Sequence, residues 1–245
     1  MVQQHSLRGL LRFYRTARFS LAPNQMLVDL IQNSTRRPSF LMHHGVDLKK
    51  FRPESTDRKS NEPFCIGYVG RLTTEKNVRL FADLERSLVA SGESNFKFLI
   101  VGEGGQQRWL QKHVKHAELT GVIRGEELAA AYRRMDAFVF PSRTDTFGLV
   151  ILEAMASGVP VILSPETGQR IGIQHGVSGF LSEDFTRDLR SLMHNCDLRE
   201  RMSKAARKFS GTNSWTHVFD KLYETYTRGL SVADNRRALK EALVN

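Results

Sequence analysis

The chain has 245 residues, of which 40% are hydrophobic, enough for one substantial αβ domain with additions or for two small ones, but not for two complete Rossmann-like domains. Its net charge of +10 is uneven, with eleven Lys and Arg against four Asp and Glu in residues 1–60. Two cysteines, Cys65 and Cys196, suggest neither a disulfide framework nor a thiolate metal site, no apolar run approaches the ~20 residues of a membrane span, and no zinc spacing, RNA-binding aromatic signature or helix-turn-helix phrase speaks for nucleic acid. The first residues also lack the continuous apolar core of a signal peptide, so the expected location is cytoplasmic.

In chain order, residues 5–18 predict a helix with Arg8, Arg12 and Arg15 on one face and Leu7, Leu10, Leu11 and Tyr14 on another. Such a helix suits an anionic membrane surface, a partner domain, or a solvated face on a helix that packs at home. Pro23–Ser34 predicts a second helix, Ser39–Met42 a short strand, and Arg52–Pro63 a polar surface linker. From Phe64 onward strands and helices alternate. The predicted strands are Phe64–Val69, Lys97–Val101, a short one near Leu119, Ala137–Phe140 and Pro160–Leu163; the predicted helices are Lys76–Ala90, Gln106–His116, Glu126–Arg134, Gly148–Ser157 and one near Gly168–His175. Apolar strands separated by helices indicate a Rossmann-like parallel sheet covered by helices on both faces, with ligands bound outside the carboxyl ends of the strands. Asp184–Met193 and Arg199–Phe209 predict helices that finish this domain. Trp215–Tyr226 predicts an aromatic-rich helix and Ala233–Val244 a terminal one.

Two loops carry candidate chemistry. GRLTTEKN (Gly70–Asn77) follows the first strand of the main domain; Gly70 permits a tight turn, and Arg71 and Lys76 can both reach a point above the strand ends. A basic surface loop is the alternative. PSRTDTFGLVILEAMASGVPVIL (Pro141–Leu163) places Asp145 in a strand-to-helix loop and Glu153 about two turns down the following helix. The first-turn amides of Gly148, Leu149 and Val150 are donors at the positive end of a helix dipole, and Gly148 lets the backbone approach a diphosphate. An ordinary βα unit with solvated or capping acids would read the same from spacing alone. VGEGG (Val101–Gly105) adds glycine-rich backbone after the second strand, with Gly102 and Gly104 opening space in this context. His43, His44, His113 and His116 lack further ligands at metal-binding spacing, so no metal site is expected.

The Pro141–Leu163 phrase resembles the nucleotide-binding half of retaining glycosyltransferases of family 4, which have the two-domain GT-B fold. The resemblance continues in HHGVDLKKFRP (His43–Pro53), GRLTTEKN, VGEG (Val101–Gly104) and TGVIRGEELAAAY (Thr120–Tyr132), and covers roughly Ser39–Tyr226. It departs at Asp145, where the family more often has glutamate, and at ETGQR (Glu166–Arg170), which keeps only Gly168 of the usual glycine pair. The resemblance implies a donor substrate that is a nucleotide-diphosphate sugar, no divalent ion, and transfer of a hexose with retention of configuration. It assigns Arg71 and Lys76 to the leaving diphosphate, Asp145 to the sugar and Glu153 to the ribose, with Gly121 and Val122 beside the base and Phe147 inside the motif. It further implies that residues 1–38 are a remnant of acceptor-side helices, 39–63 a hinge and linker, 64–210 the donor domain, and 211–245 crossing helices, with most of the acceptor domain missing. A lipid or glycan acceptor, peripheral contact with the cytosolic face of a membrane, a separate acceptor-domain polypeptide and self-association all fit that reading. So do a non-catalytic nucleotide-sugar-binding subunit of a split enzyme and an inactive shortened transferase.

Overall fold

The computed structural model describes residues 9–53, 62–143, 145, 148–167 and 172–242. They divide into two compact units, one formed by the chain up to Gly45 together with the chain from Trp215 onward, the other by Val46–Ser214.

In the first unit, residues 9–14 are helical, followed by β1 (Ser20–Ala22), α1 (Gln25–Thr35) and β2 (Ser39–Leu41), with β1 and β2 paired in parallel. Asn24 starts α1 by accepting the Leu27 N–H on its side chain, and Arg36 in a left-handed conformation ends it. Arg15, expected on a basic face, donates its guanidinium to the Ser34 carbonyl, while Tyr14 packs on the small core of Ala22, Val28 and Ile31. β1 has three residues, too few to show a strand period.

The second unit is an α/β fold around a six-stranded parallel sheet. Its strands are β3 (Phe64–Val69), β4 (Phe96–Val101), β5 (Ala117–Gly121), β6 (Ala137–Phe140), β7 (Val161–Leu163) and β8 (Gly179–Leu181), in spatial order β5-β4-β3-β6-β7-β8. Cys65, Ile66 and Tyr68, or Ala137, Phe138 and Val139, are wholly buried in succession, so both faces of the sheet are covered. The covering helices include α2 (Leu80–Ala90), α3 (Gln107–His113), α4 (Gly125–Arg133), α5 (Leu149–Ala156), α6 (Phe185–His194) and α7 (Cys196–Gly211).

The helix expected from Lys76 starts later. Thr74–Lys76 form a 3-10 turn closed by Asn77 in the left-handed region (φ 52°), and α2 begins at Leu80. Residues 165–167 are helical; of the helix expected near Gly168–His175, residues 168–171 lie outside the described residues and 172–175 are not helical, and β8 follows at Gly179. The two terminal helices are one, α8 (Trp215–Ala242), which returns to the first unit. There the Phe19 ring meets Tyr226 edge-on at 5.2 Å and lies about where a Cβ on Gly229 would stand, at 3.0 Å. Gly229 therefore packs within a helix rather than breaking it. Gly45 leaves equally little room, since its Cβ would stand 2.5 Å from the Trp215 ring. No helix among the described residues is long and apolar enough to cross a membrane.

Candidate active site

β3 and β6 are neighbours in the sheet although β4 and β5 intervene in sequence, so the strand order reverses between them. Connections leaving the carboxyl ends of two such strands diverge and open a crevice. The loop after β3 carries Gly70, Arg71 and Lys76; the loop after β6 carries Asp145 and runs into α5.

Lys76 and Asp145 meet across this reversal, with Nζ 2.7 Å from Oδ2 and side chains only 13% and 18% exposed. The other oxygen, Oδ1, accepts the Gly148 N–H at 3.1 Å. One carboxylate thus ties the two loops together and caps the approach to α5. The Lys76 ammonium also stands 5.7 Å from the centre of the Phe140 ring, which stacks on Tyr68 at 5.9 Å. Burial, then the Asp145 charge, pushes the Tyr68 phenol up against the opposing influence of Arg71, and its hydroxyl donates to the Arg71 carbonyl at 2.9 Å.

Gly148 adopts φ 63°, ψ 26°, a left-handed conformation that a side chain would strain. Its carbonyl accepts the N–H groups of Ile151 and Leu152, whereas the amides of Leu149 and Val150 find no acceptor among the described residues. Two oriented donors at the head of a helix are a general means of meeting an anion. Phe147 lies outside the described residues.

Glu153, in the second turn of α5, lies about 7 Å along the helix axis from Gly148 at 1.5 Å per residue. Its Oε2 accepts the Tyr132 hydroxyl at 2.9 Å, a proton shared with the Val150 carbonyl at 3.2 Å. Burial raises the Glu153 pKa above its ordinary value, with the Tyr132 hydrogen bond and the Lys50 charge pulling the other way.

The structure does not bring Arg71 into this cluster. Its guanidinium pairs with Glu75 at 2.6 Å, and its side chain is 71% exposed. Gly102 and Gly104, expected to open space, instead let two loops touch: a Cβ on Gly102 would stand 2.0 Å from the Gly70 carbonyl oxygen, and one on Gly104 would stand 2.4 Å from that of Leu72. Their effect is on the shape of the loop that carries Lys76. Gly121 has open space where a Cβ would stand, its carbonyl accepts the Gly102 N–H at 2.8 Å, and Val122 beside it is exposed.

Sequence reasoning missed several groups here. Thr73 Oγ1 and Ser142 Oγ are buried with no hydrogen-bond partner among the described residues, one on each of the two loops, and the Ser142 carbonyl accepts the hydroxyls of Ser164 and Thr167, each at 2.6 Å. A buried tyrosine such as Tyr132 needs a partner for its hydroxyl, but nothing in the string names Glu153 as that partner. Of the histidines set aside as metal ligands, His116 sits 2.6 Å from Glu85 and His113 stacks on Trp109. No group of three or more His, Cys, Asp or Glu side chains among the described residues gathers to hold a metal.

Comparison with known proteins gives this crevice a family. The chain is 39% identical over 170 residues to a GDP-mannose-dependent alpha-mannosyltransferase of Corynebacterium glutamicum, covering 66% of this chain and 40% of that protein. It is 33% identical over 237 residues to the sulfoquinovosyl transferase SQD2 of Arabidopsis thaliana, covering 87% and 45%. The chain thus spans somewhat less than half the length of these curated relatives. Among solved structures, Anabaena HepE in complex with UDP and glucose superposes with a TM-score of 0.77 at 17% identity, covering 91% of this chain and 67% of that one. The fold is a Rossmann-like parallel sheet resembling the donor half of a GT-B glycosyltransferase. The family model for glycosyl transferases group 1 matches residues 51–209, most of the second unit, and the chain belongs to that family.

Proposed function

We propose that this chain is the carboxy-terminal, donor-binding part of a retaining glycosyltransferase of family 4, transferring a hexose from a nucleotide-diphosphate sugar to an acceptor. The observation that carries the reading is the meeting of Lys76 and Asp145 at the reversal of the sheet, beside the amides of Leu149 and Val150, which have no acceptor among the described residues. A cation and two oriented donors suit a diphosphate, while a carboxylate at the same place suits the hydroxyls of a sugar. The GDP-mannose dependence of the Corynebacterium relative and the UDP and glucose of the Anabaena structure support a donor of this class.

In this reading the acceptor oxygen attacks from the face the nucleoside diphosphate leaves, and a departing phosphate oxygen takes its proton. Lys76 and the amides after Gly148 offset the charge that grows on the leaving group. Arg71 joins them on leaving Glu75, an exposed pair of a kind that holds weakly. Glu153 accepts hydrogen bonds from the ribose and Asp145 from the sugar, with Gly121 and Val122 beside the base. The acceptor is a lipid or a glycan.

Titration calorimetry across UDP-, GDP- and ADP-sugars tests the donor site. The expected result is binding of one of them, weakened tenfold or more in K76A and in E153A, as loss of a hydrogen bond to a charged group implies. Binding of none overturns the reading. A second reading is a nucleotide-sugar-binding subunit that works with a separate acceptor-domain polypeptide. Product formed by the purified chain alone would exclude it; product formed only after the second polypeptide is added would establish it.

A further inference from the structure

We infer that Tyr132 is the positioning residue that sets the Glu153 carboxylate for the nucleotide, and so decides how strongly the site prefers ribose to 2′-deoxyribose. The inference rests on the donor-site reading above. A glutamate side chain has three rotatable bonds, and an unheld carboxylate would sample several orientations at the mouth of a crevice. Here the Tyr132 hydroxyl donates to Oε2 at 2.9 Å, which occupies one oxygen and leaves Oε1 to accept from a vicinal diol. A diol held by a fixed oxygen loses less orientational freedom on binding than one that must first order the carboxylate.

Tyr132 can hold this position because it cannot itself move. It is wholly buried, its ring meets Phe51 edge-on at 5.7 Å and leans on Phe138 at 5.9 Å. Phe51 is fixed in turn: Arg207 Nη1 donates to its carbonyl at 2.7 Å and to that of Ala156, at the end of α5, at 2.5 Å. Arg207 therefore links the segment bearing Phe51 to the helix that carries Glu153. The hydrogen bond also opposes the rise in proton affinity that burial imposes on this carboxylate.

The test uses the full chain and the Y132F variant, which removes one oxygen and keeps the ring. In a carbon-13 titration of the glutamate side chains without ligand, Y132F is expected to move the Glu153 midpoint to higher pH; an unchanged midpoint overturns the positioning role. Calorimetry then compares UDP and GDP with their 2′-deoxy counterparts. The preference for ribose is expected to fall about tenfold in Y132F, because the diol must then order the carboxylate as it binds. In an E153A background the same substitution is expected to change nothing. A preference that survives Y132F, or that falls equally in the E153A background, overturns the inference, because a merely structural tyrosine would alter both nucleotides alike. If the unaltered chain binds neither nucleotide, the donor-site reading fails and the ribose claim with it, while the carbon-13 titration still decides whether Tyr132 sets the carboxylate. Melting curves for each variant separate loss of fold from loss of contact.

Discussion

Glu85 shows how a single buried acid is made compatible with this core. It lies on α2 with its side chain 10% exposed, and accepts the N–H of Lys115 at 3.0 Å, the N–H of His116 at 2.7 Å, and the His116 ring nitrogen at 2.6 Å. Burial alone would raise its pKa, but the two amides and the imidazole outweigh it and hold the carboxyl below its ordinary value. A carboxyl depressed in the folded state stabilises fully above its unfolded pKa, about 4.3, and that stability is lost as pH falls through the folded value. Glu85→Gln is therefore expected to cost roughly 1–2 kcal/mol at neutral pH, since hydrogen bonds to a charged acceptor become neutral ones. The difference should shrink toward zero as the medium is acidified below about pH 4. Urea unfolding of both proteins across that range measures it; a penalty independent of pH would assign the loss to packing.

Between elements, the joint that orders the crevice is made by α7. Arg207 reaches three backbone carbonyls, those of Leu48 and Phe51 ahead of β3 and that of Ala156 at the end of α5. Burial lowers its pKa from the usual arginine value, yet a guanidinium stays protonated and needs such acceptors. Arg207→Met keeps the apolar stem and removes the donors. It should destabilise the chain by roughly 2–3 kcal/mol, the cost of leaving buried carbonyls without a charged partner. Hydrogen exchange should rise first at Lys50 and Phe51, whose amides bond to Asp47. Exchange that rises uniformly instead would mean that Arg207 supports the whole unit rather than this joint. Parts of this arrangement were legible beforehand: β3, β4, β6 and β7 follow from continuous apolar runs, and α5 from the run after Gly148. The late start of α2 was not, because Asn77 in the left-handed region is settled by the loop it closes rather than by helix propensity.

For the molecule as a whole, the consequential surface is on α8. Trp215, Phe219 and Tyr223 recur every four residues and so line one side of the helix, 39%, 45% and 72% exposed, while Val218 is buried on another. Leu10, Phe13, Met26 and Leu30 add exposed apolar groups in the same unit. Apolar surface of this kind favours association. The chain is expected to sediment faster as its concentration rises, and F219E combined with Y223E should abolish that dependence while shifting stability by no more than about 0.5 kcal/mol per site. Sedimentation velocity over a wide concentration range, paired with thermal unfolding, tests this. A strictly monomeric unaltered chain would show that the exposed aromatics do not associate.

By itself the sequence determined the alternation of strand and helix, and with it a parallel sheet, because buried apolar runs such as Ala137–Phe140 admit few other environments. It also singled out Arg71, Lys76, Asp145 and Glu153, through the family resemblance carried by the Gly70–Asn77 and Pro141–Leu163 phrases. Only the tertiary structure decided which of those groups meet. The reversal of strand order between β3 and β6 brings Lys76 onto Asp145 from 69 positions away, and leaves Arg71, five positions from Lys76, paired with Glu75 in solvent. Tertiary contact likewise turned Gly102 and Gly104 into places where backbones touch, joined two expected helices into α8, and gave Tyr132 its acid. The physical reason is common to these cases. Propensity and period act over a few residues, whereas a salt bridge or a buried hydroxyl is completed by atoms whose distance along the chain carries no signal until the sheet has formed.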